Sequence, residues 1–348
     1  MSRRLPAEWE PQSAILLTWP HADSDWRDDL ARVESVYRAV LAALAPRQAL
    51  LIVCASKSHR RHVAAQCPMQ HAARIHLAIA PSDDSWSRDH GPISVLDHGK
   101  PLLLDFDFNG WGGKYPATRD NAITATLHRA GVWPGVALAR PGIVLEGGAI
   151  ETDGQGSLLA TRPSILDPRR GHTDQARLEQ QLREWLGIRH FQWLNHGRLE
   201  GDDTDGHIDT LARYVEPGHI IHVSPRPDDP DHAGIRAMIE ELRALRDPDN
   251  QPLRLTALPA PPPLHNASGR RLATSYANFL VANGQLLAPV YGLESDTAAL
   301  ATLADCFPRH SISAIDCRPL IEQNGSLHCI TRQLPAAVPL NPALRLRP

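Results

Sequence analysis

The sequence predicts an α/β protein, a single pseudo-symmetric ring of five similar ββαβ units spanning residues 1–348. Two observations predict it. One arrangement recurs along the chain: a polar motif, an apolar run of β type, a tight turn, a second β run, then a helical stretch and a further strand. One polar or nucleophilic residue from each copy (Asp89, Glu146, Asp209, Asn278 and Cys329) returns with a period of about 60 residues. Units this small bury little alone, and five stacked in a closed ring bring equivalent positions to one axis. A buried polar site belongs there.

The units follow in order. The first reads WSRDHGPISVL, turns at Asp97-His98-Gly99-Lys100 and continues as PLLLDFDF. The second reads LEGGAIET, turns through Asp153-Gly154-Gln155-Gly156 and continues as SLLATR. In the third, GHIDTLARYV turns at Pro217-Gly218 into HIIHVS. In the fourth, YANFLVA turns at Asn283-Gly284 into QLLAPVY, and Asn-Gly between apolar runs is a strong hairpin signal. The fifth, NGSLHCIT, has no partner strand after it, and the run Ala14 to Thr18 is the candidate that closes the ring. Between hairpins, Leu30, Val33, Tyr37, Val40, Leu41 and Leu44 keep helical spacing, as do Ile235, Met238, Ile239, Leu242 and Leu245. Shorter helices are expected near Ala122–Arg129, Arg177–Leu186 and Thr297–Phe307, and the proline run 259–263 reads as a connecting loop.

Composition narrows the partners. Of 348 residues 42% are apolar, enough for a sizeable core, and the formal charge of -3 argues against nucleic acid or an anionic membrane. The longest apolar stretch, near Ala49 to Ala55, is far short of a bilayer span, and no signal-peptide core is expected at the start. Cys54, Cys67, Cys306, Cys317 and Cys329 form no CxxC pair, which points to a reducing cytoplasm instead of a disulfide framework. Self-association is left open.

Cys329 is the strongest nucleophile type near neutrality, although a thiol pKa of about 8.5 leaves little thiolate unless a cation lies beside it. Gly325, four residues before it, could let backbone approach a ligand. Taken alone, Cys329 could equally be a core thiol, as Cys54 is expected to be. His207 and Asp209, at i and i+2, would share one face of a strand. Asp202, Asp203 and Asp205 just ahead read as a solvated acidic loop or as carboxylates awaiting a cation. Trp86 and Asp89 in WSRDHGP, Glu146 in LEGGAI and Trp111 in the glycine-rich FNGWGGKYP complete the candidates.

In combination and order, WSRDHGP, FNGWGGKY, LEGGAI, DDTDGHID, YANF and LHCIT resemble the agmatine deiminase and bacterial peptidyl-arginine deiminase family. The resemblance runs from PAEWEP to CITRQLP. It implies the pentein fold, a five-bladed α/β propeller, and a cofactor-free deimination of a small guanidino substrate, with agmatine expected. It also implies Cys329 as nucleophile, His207 as acid and base, Asp89 and Asp209 as guanidinium clamp, and Glu146 as support for the histidine. Trp86, Trp111 and Asp203 are candidates for the ammonium tail. By ring symmetry, Asn278 should face the central cavity. One departure stands out: Gln323-Asn324-Gly325-Ser326 replaces the family's glycine run before Leu327-His328-Cys329. The rival readings are a deiminase of peptidyl arginine, a metal-dependent hydrolase on His207 and Asp209, and a non-catalytic guanidine binder.

Overall fold

The computed structural model describes residues 3–347. Five sheets surround one axis, and each contains the same three-strand core: the first strand antiparallel to the second, the second parallel to the third. Unit 1 has strands Ile93–Asp97, Lys100–Leu104 and Ala137–Ala139, with Arg3–Arg4 added at its edge. Unit 2 has Glu151–Thr152, Ser157–Thr161 and His190–Leu194; unit 3 has Ala212–Glu216, His219–His222 and Arg254–Ala257. Unit 4 has Leu280–Ala282, Gln285–Val290 and Ser311–Asp316.

Unit 5 closes the ring. Its first strand, Arg332–Pro335, comes from the end of the chain and pairs with Gln12–Thr18 near the beginning, Arg332 opposite Leu16. Strands Leu50–Cys54 and Ile75–Ile79 follow in parallel. The expected partner for NGSLHCIT is therefore present. Asn283 reinforces the seam to unit 4, accepting from the Gln12 N–H at 2.9 Å and donating to its carbonyl at 2.8 Å.

Each second strand leads through a helix to the third: Ile123–Arg129, Gln175–Leu186, His232–Ala244, Asp296–Cys306 and Leu30–Leu44. In Leu30–Leu44 the buried residues Val33, Val36, Tyr37, Val40, Leu41 and Leu44 form one stripe, each contributing about 1.5–3 kcal/mol if large and fully buried. Gln175–Leu186 starts where Asp174 accepts from the Ala176 and Arg177 N–H groups. It stops at Gly187 (φ 73°), where a Cβ would sit 2.2 Å from the Arg3 carbonyl oxygen. The proline run lies in irregular chain between Arg254–Ala257 and unit 4.

One expectation changes. The polar motifs do not open strands; they occupy single helical turns just before them, at Ser87–His90, Gly147–Ala149 and Ile208–Thr210. Asn278 and Cys329 also lie outside regular strands, Cys329 within the turn 327–330. His207 precedes its turn and Asp209 lies inside it, so the two side chains meet near Gly148 without the shared strand face expected from their spacing.

Candidate active site

Four of these segments converge on Cys329. Asn278, wholly buried, holds its turn: Oδ1 accepts from the backbone N–H of His328 at 2.8 Å and of Cys329 at 3.4 Å, and lies 3.4 Å from the thiol. Its amide nitrogen donates to the Asp209 carbonyl at 3.3 Å. Asn278, expected from its ring position to face the central cavity, instead holds the cysteine segment and does not line the cavity described below.

Asp209 Oδ2 accepts from His328 Nδ1 at 2.7 Å and lies 3.9 Å from the Cys329 thiol. Its Oδ1 is buried with no hydrogen-bond partner among the described residues. A stranded buried acceptor costs about 1–3 kcal/mol, so this oxygen calls for a donor. Asp89 Oδ1 accepts from the Gly148 N–H at 2.8 Å, and Oδ2 from Trp111 Nε1 at 2.9 Å. Trp111 reaches it from a left-handed backbone (φ 55°) flanked by Gly110 and Gly112, also at positive φ, a strain of about 1–3 kcal/mol.

His207 Nε2 meets Glu146 Oε2 at 3.0 Å, and its Nδ1 lies 3.7 Å from Asp89. Glu146 is clamped through both oxygens by Arg170 Nε at 2.9 and 2.8 Å. Gly148 lies where these groups meet: a Cβ there would be 2.7 Å from His207 Nδ1, 2.9 Å from Asp89 and 3.0 Å from Asp209. The second glycine of LEGGAI is therefore required by the site.

The electrostatics follow from burial and like charge. Burial lifts the Asp89 carboxyl to about 6, with Asp209 and Glu146 adding to the rise and His207 opposing it. Burial disfavours the His207 cation, but Asp89, Glu146 and Asp209 outweigh it and hold the imidazole at about 9, above the ordinary 6.5. Burial also pushes the Cys329 thiol well up, and Asp209 and Asp89 push it further. The site therefore holds a neutral thiol and an imidazolium. We expect kcat/KM to be bell-shaped in pH. Its acid limb near 6 marks Asp89 losing its charge as pH falls, and its alkaline limb near 9 marks His207 losing the proton it must donate. An alkaline limb near 6.5 would contradict this assignment.

Above Cys329 opens a cavity of about 240 Å³ lined by Asp25, Asp84, Asp89, Asp203 and Glu322, by Trp86, Trp111 and Tyr115, and by Thr204 and residues 323–325. Among the described residues no lysine or arginine lines it. Asp203 accepts from Tyr115 Oη at 2.7 Å and Asn324 Nδ2 at 2.8 Å, and Trp86 Nε1 donates to Asp84 at 2.9 Å. Burial raises Asp84 to about 6, and Asp25 adds to the rise. Gly325 lines the cavity, but its missing Cβ makes room for an aromatic ring, since that atom would lie 2.2 Å from Trp86.

The acidic run before His207 is not a solvated loop. Asp202 is buried and caps the Thr204 and Gly206 N–H groups, while Asp205 pairs with Arg170 and Lys114, each at 2.9 Å. Sequence reasoning passed over Gly148, Arg170, His328, Asp84, Asp25, Tyr115 and Glu322. Gly148, Tyr115 and His328 stood inside the motifs already noted; for the others the linear sequence carries no signal. Among the described residues no group of three or more His, Cys, Asp or Glu is arranged to hold a metal ion, and no helix is long and apolar enough to cross a membrane.

A five-bladed α/β ring with cysteine, histidine and carboxylates at its axis defines the class of protein. The chain belongs to the Porphyromonas-type peptidyl-arginine deiminase family, whose model matches residues 4–335. It is 34% identical to the agmatine deiminase of Stutzerimonas stutzeri (strain A1501), over 95% of this chain and 95% of that one. A Porphyromonas gingivalis crystal structure with the provisional name arginine deiminase matches with a TM-score of 0.92 and 42% identity, covering 97% of this chain and 99% of that one. A cysteine-to-serine variant of C. jejuni agmatine deiminase with substrate bound matches at 0.88 and 30% identity, covering 95% and 96%. The fold is accordingly the pentein fold, and the protein is a hydrolase of guanidino C–N bonds.

Proposed function

We propose that this enzyme hydrolyses agmatine to N-carbamoylputrescine and ammonia. The observation that carries the reading is the cavity: among the described residues, five carboxylates and no lysine or arginine line it above Cys329. Such a lining favours a dication, with the guanidinium at the inner end and an ammonium near Asp84 and Asp203. The α-carboxylate of free arginine would meet like charge there.

The geometry suits the following course. Asp89 and Asp209 hold the planar guanidinium, the open Oδ1 of Asp209 accepting one of its N–H groups. The cation offsets the two carboxylates that, with burial, hold the thiol up; the thiol gives its proton to water and sulfur becomes a thiolate beside the central carbon. Sulfur attacks, and a C–S bond forms. His207 gives its proton to one nitrogen, whose C–N bond breaks as ammonia leaves. The adduct on Cys329 is an amidino-thioether. Neutral His207 then takes a proton from water, whose oxygen attacks the same carbon. Collapse breaks the C–S bond and releases the urea.

Ammonia release should be measured against agmatine, free arginine, arginyl peptides and methylated guanidines. Agmatine is expected to exceed free arginine in kcat/KM by about 100-fold or more. A preference for arginyl peptides, or no ammonia from agmatine, overturns the proposal.

A further inference from the structure

Behind the floor of the cavity lies a second buried cluster that the course above does not use. It centres on Glu8, in the N-terminal segment PAEWEP. Glu8 Oε1 accepts from His328 Nε2 at 2.5 Å and from Arg88 Nη2 at 3.2 Å, while Oε2 accepts from Arg213. Arg213, wholly buried, also donates to Glu151 at 2.9 Å and to the carbonyls of Ala277 at 3.3 Å and Phe279 at 2.8 Å, on either side of Asn278. Arg88, Glu151, Arg213, the 277–279 backbone and His328 come one from each unit. Glu8 is the hub that joins them. It lines a cavity of about 80 Å³ that shares no residue with the substrate cavity.

His328 lies between two carboxylates, with Glu8 at Nε2 and Asp209 at Nδ1, at 2.5 and 2.7 Å. An imidazole donates from both nitrogens only as an imidazolium. Burial, Arg213 and Arg88 push against that charge and outweigh Glu8 and Asp209, so electrostatics alone set the imidazole below its ordinary value. The geometry decides otherwise: Glu8 and Asp209 are both held ionised and can only accept, so short contacts on opposite ring edges require a proton on each nitrogen. Asp209 in turn faces His328, His207, Arg213 and the Cys329 thiol.

We propose that Glu8 is a positioning residue for deimination: it holds His328 as an imidazolium, which keeps Asp209 ionised and turned so that Oδ1 stays free for the substrate. The proposal rests on the functional reading above, because it assigns Asp209 to the guanidinium. Without the Glu8 charge, His328 loses its second proton and can donate to only one partner. Asp209 then binds its own proton more readily.

The test is Glu8→Gln, which keeps the size and the acceptor oxygen, with Glu8→Asp to keep the charge. For Glu8→Gln we expect kcat/KM on agmatine to fall by roughly 10–100-fold, as for partners that orient site ligands. Its acid limb should move to higher pH, and Glu8→Asp should recover part of the loss. Nitrogen-15 spectra at pH 7.5 should show His328 as imidazolium in the wild type and neutral in Glu8→Gln. Unchanged kcat/KM and acid limb in Glu8→Gln overturn the proposal. So does a His328 signal that is neutral in the wild type or still imidazolium in Glu8→Gln. Ammonia release by the wild type decides the functional reading; the His328 signals need no turnover and decide the relay separately.

Discussion

Cys329→Ser is expected to lower ammonia release by about 10⁴-fold or more while agmatine still binds. Serine keeps the shape of the turn that Asn278 holds, and Asp89, Asp209 and Asp203 remain to receive the two cationic ends. The hydroxyl loses the low-energy anion that the substrate cation can draw from sulfur. Calorimetry should show binding without turnover. Quenching the wild type during turnover should place an amidino adduct on the Cys329 peptide. No other cysteine is placed for this: burial lifts Cys54 and Cys67 to about 12 and raises Cys306 and Cys317 as well, and none lines the substrate cavity. An adduct on any of these four, or a fully active serine variant, would falsify the nucleophile assignment.

His207→Ala comes second. On the proposed course it removes the acid of the first step and the base of the second, so a loss of about 10³–10⁴-fold is expected even where the fold survives. His207→Gln separates the role in catalysis from the role in packing. Its amide can still meet Glu146, whose other contacts, to Arg170, are unchanged, so the melting temperature should hold while turnover does not recover. Treating the wild type with a chelator belongs in the same experiment. If activity disappears and added metal restores it, His207 is a ligand and the acid–base assignment is wrong.

The sequence made the architecture legible because each unit carries its own local signals. His98 and Gly99 both have positive φ, as a tight two-residue hairpin turn demands, and the apolar stripes of Leu30–Leu44 and His232–Ala244 were readable from spacing alone. The polar motifs stood out for a similar reason: a carboxylate beside two glycines, or a histidine leading into an apolar run, is costly unless something pairs with it. Ring closure was legible only as an unpaired strand at one end and a spare strand near the other.

The His207 imidazole is held at about 9, above its ordinary 6.5. No count of residues along the chain could have revealed that, because the three carboxylates responsible come from three units and act through distances of a few ångströms. His207 and Asp209 come together as their spacing suggests, but through a helical turn and not through the strand expected there. Asp25, Asp84 and Glu322 have no local oddity and become one acidic wall only when their loops meet.

By itself, then, the sequence determined the five repeated units, their hairpins and helices, and which side-chain chemistry the axis would hold. The tertiary structure alone decided which of those groups touch, which carboxylate oxygen is left without a donor, and where Glu8 enters the ring. Secondary structure depends on neighbours in the chain, whereas charge, burial and hydrogen bonding at the axis depend on neighbours in space, drawn from residues as far apart as Glu8 and His328.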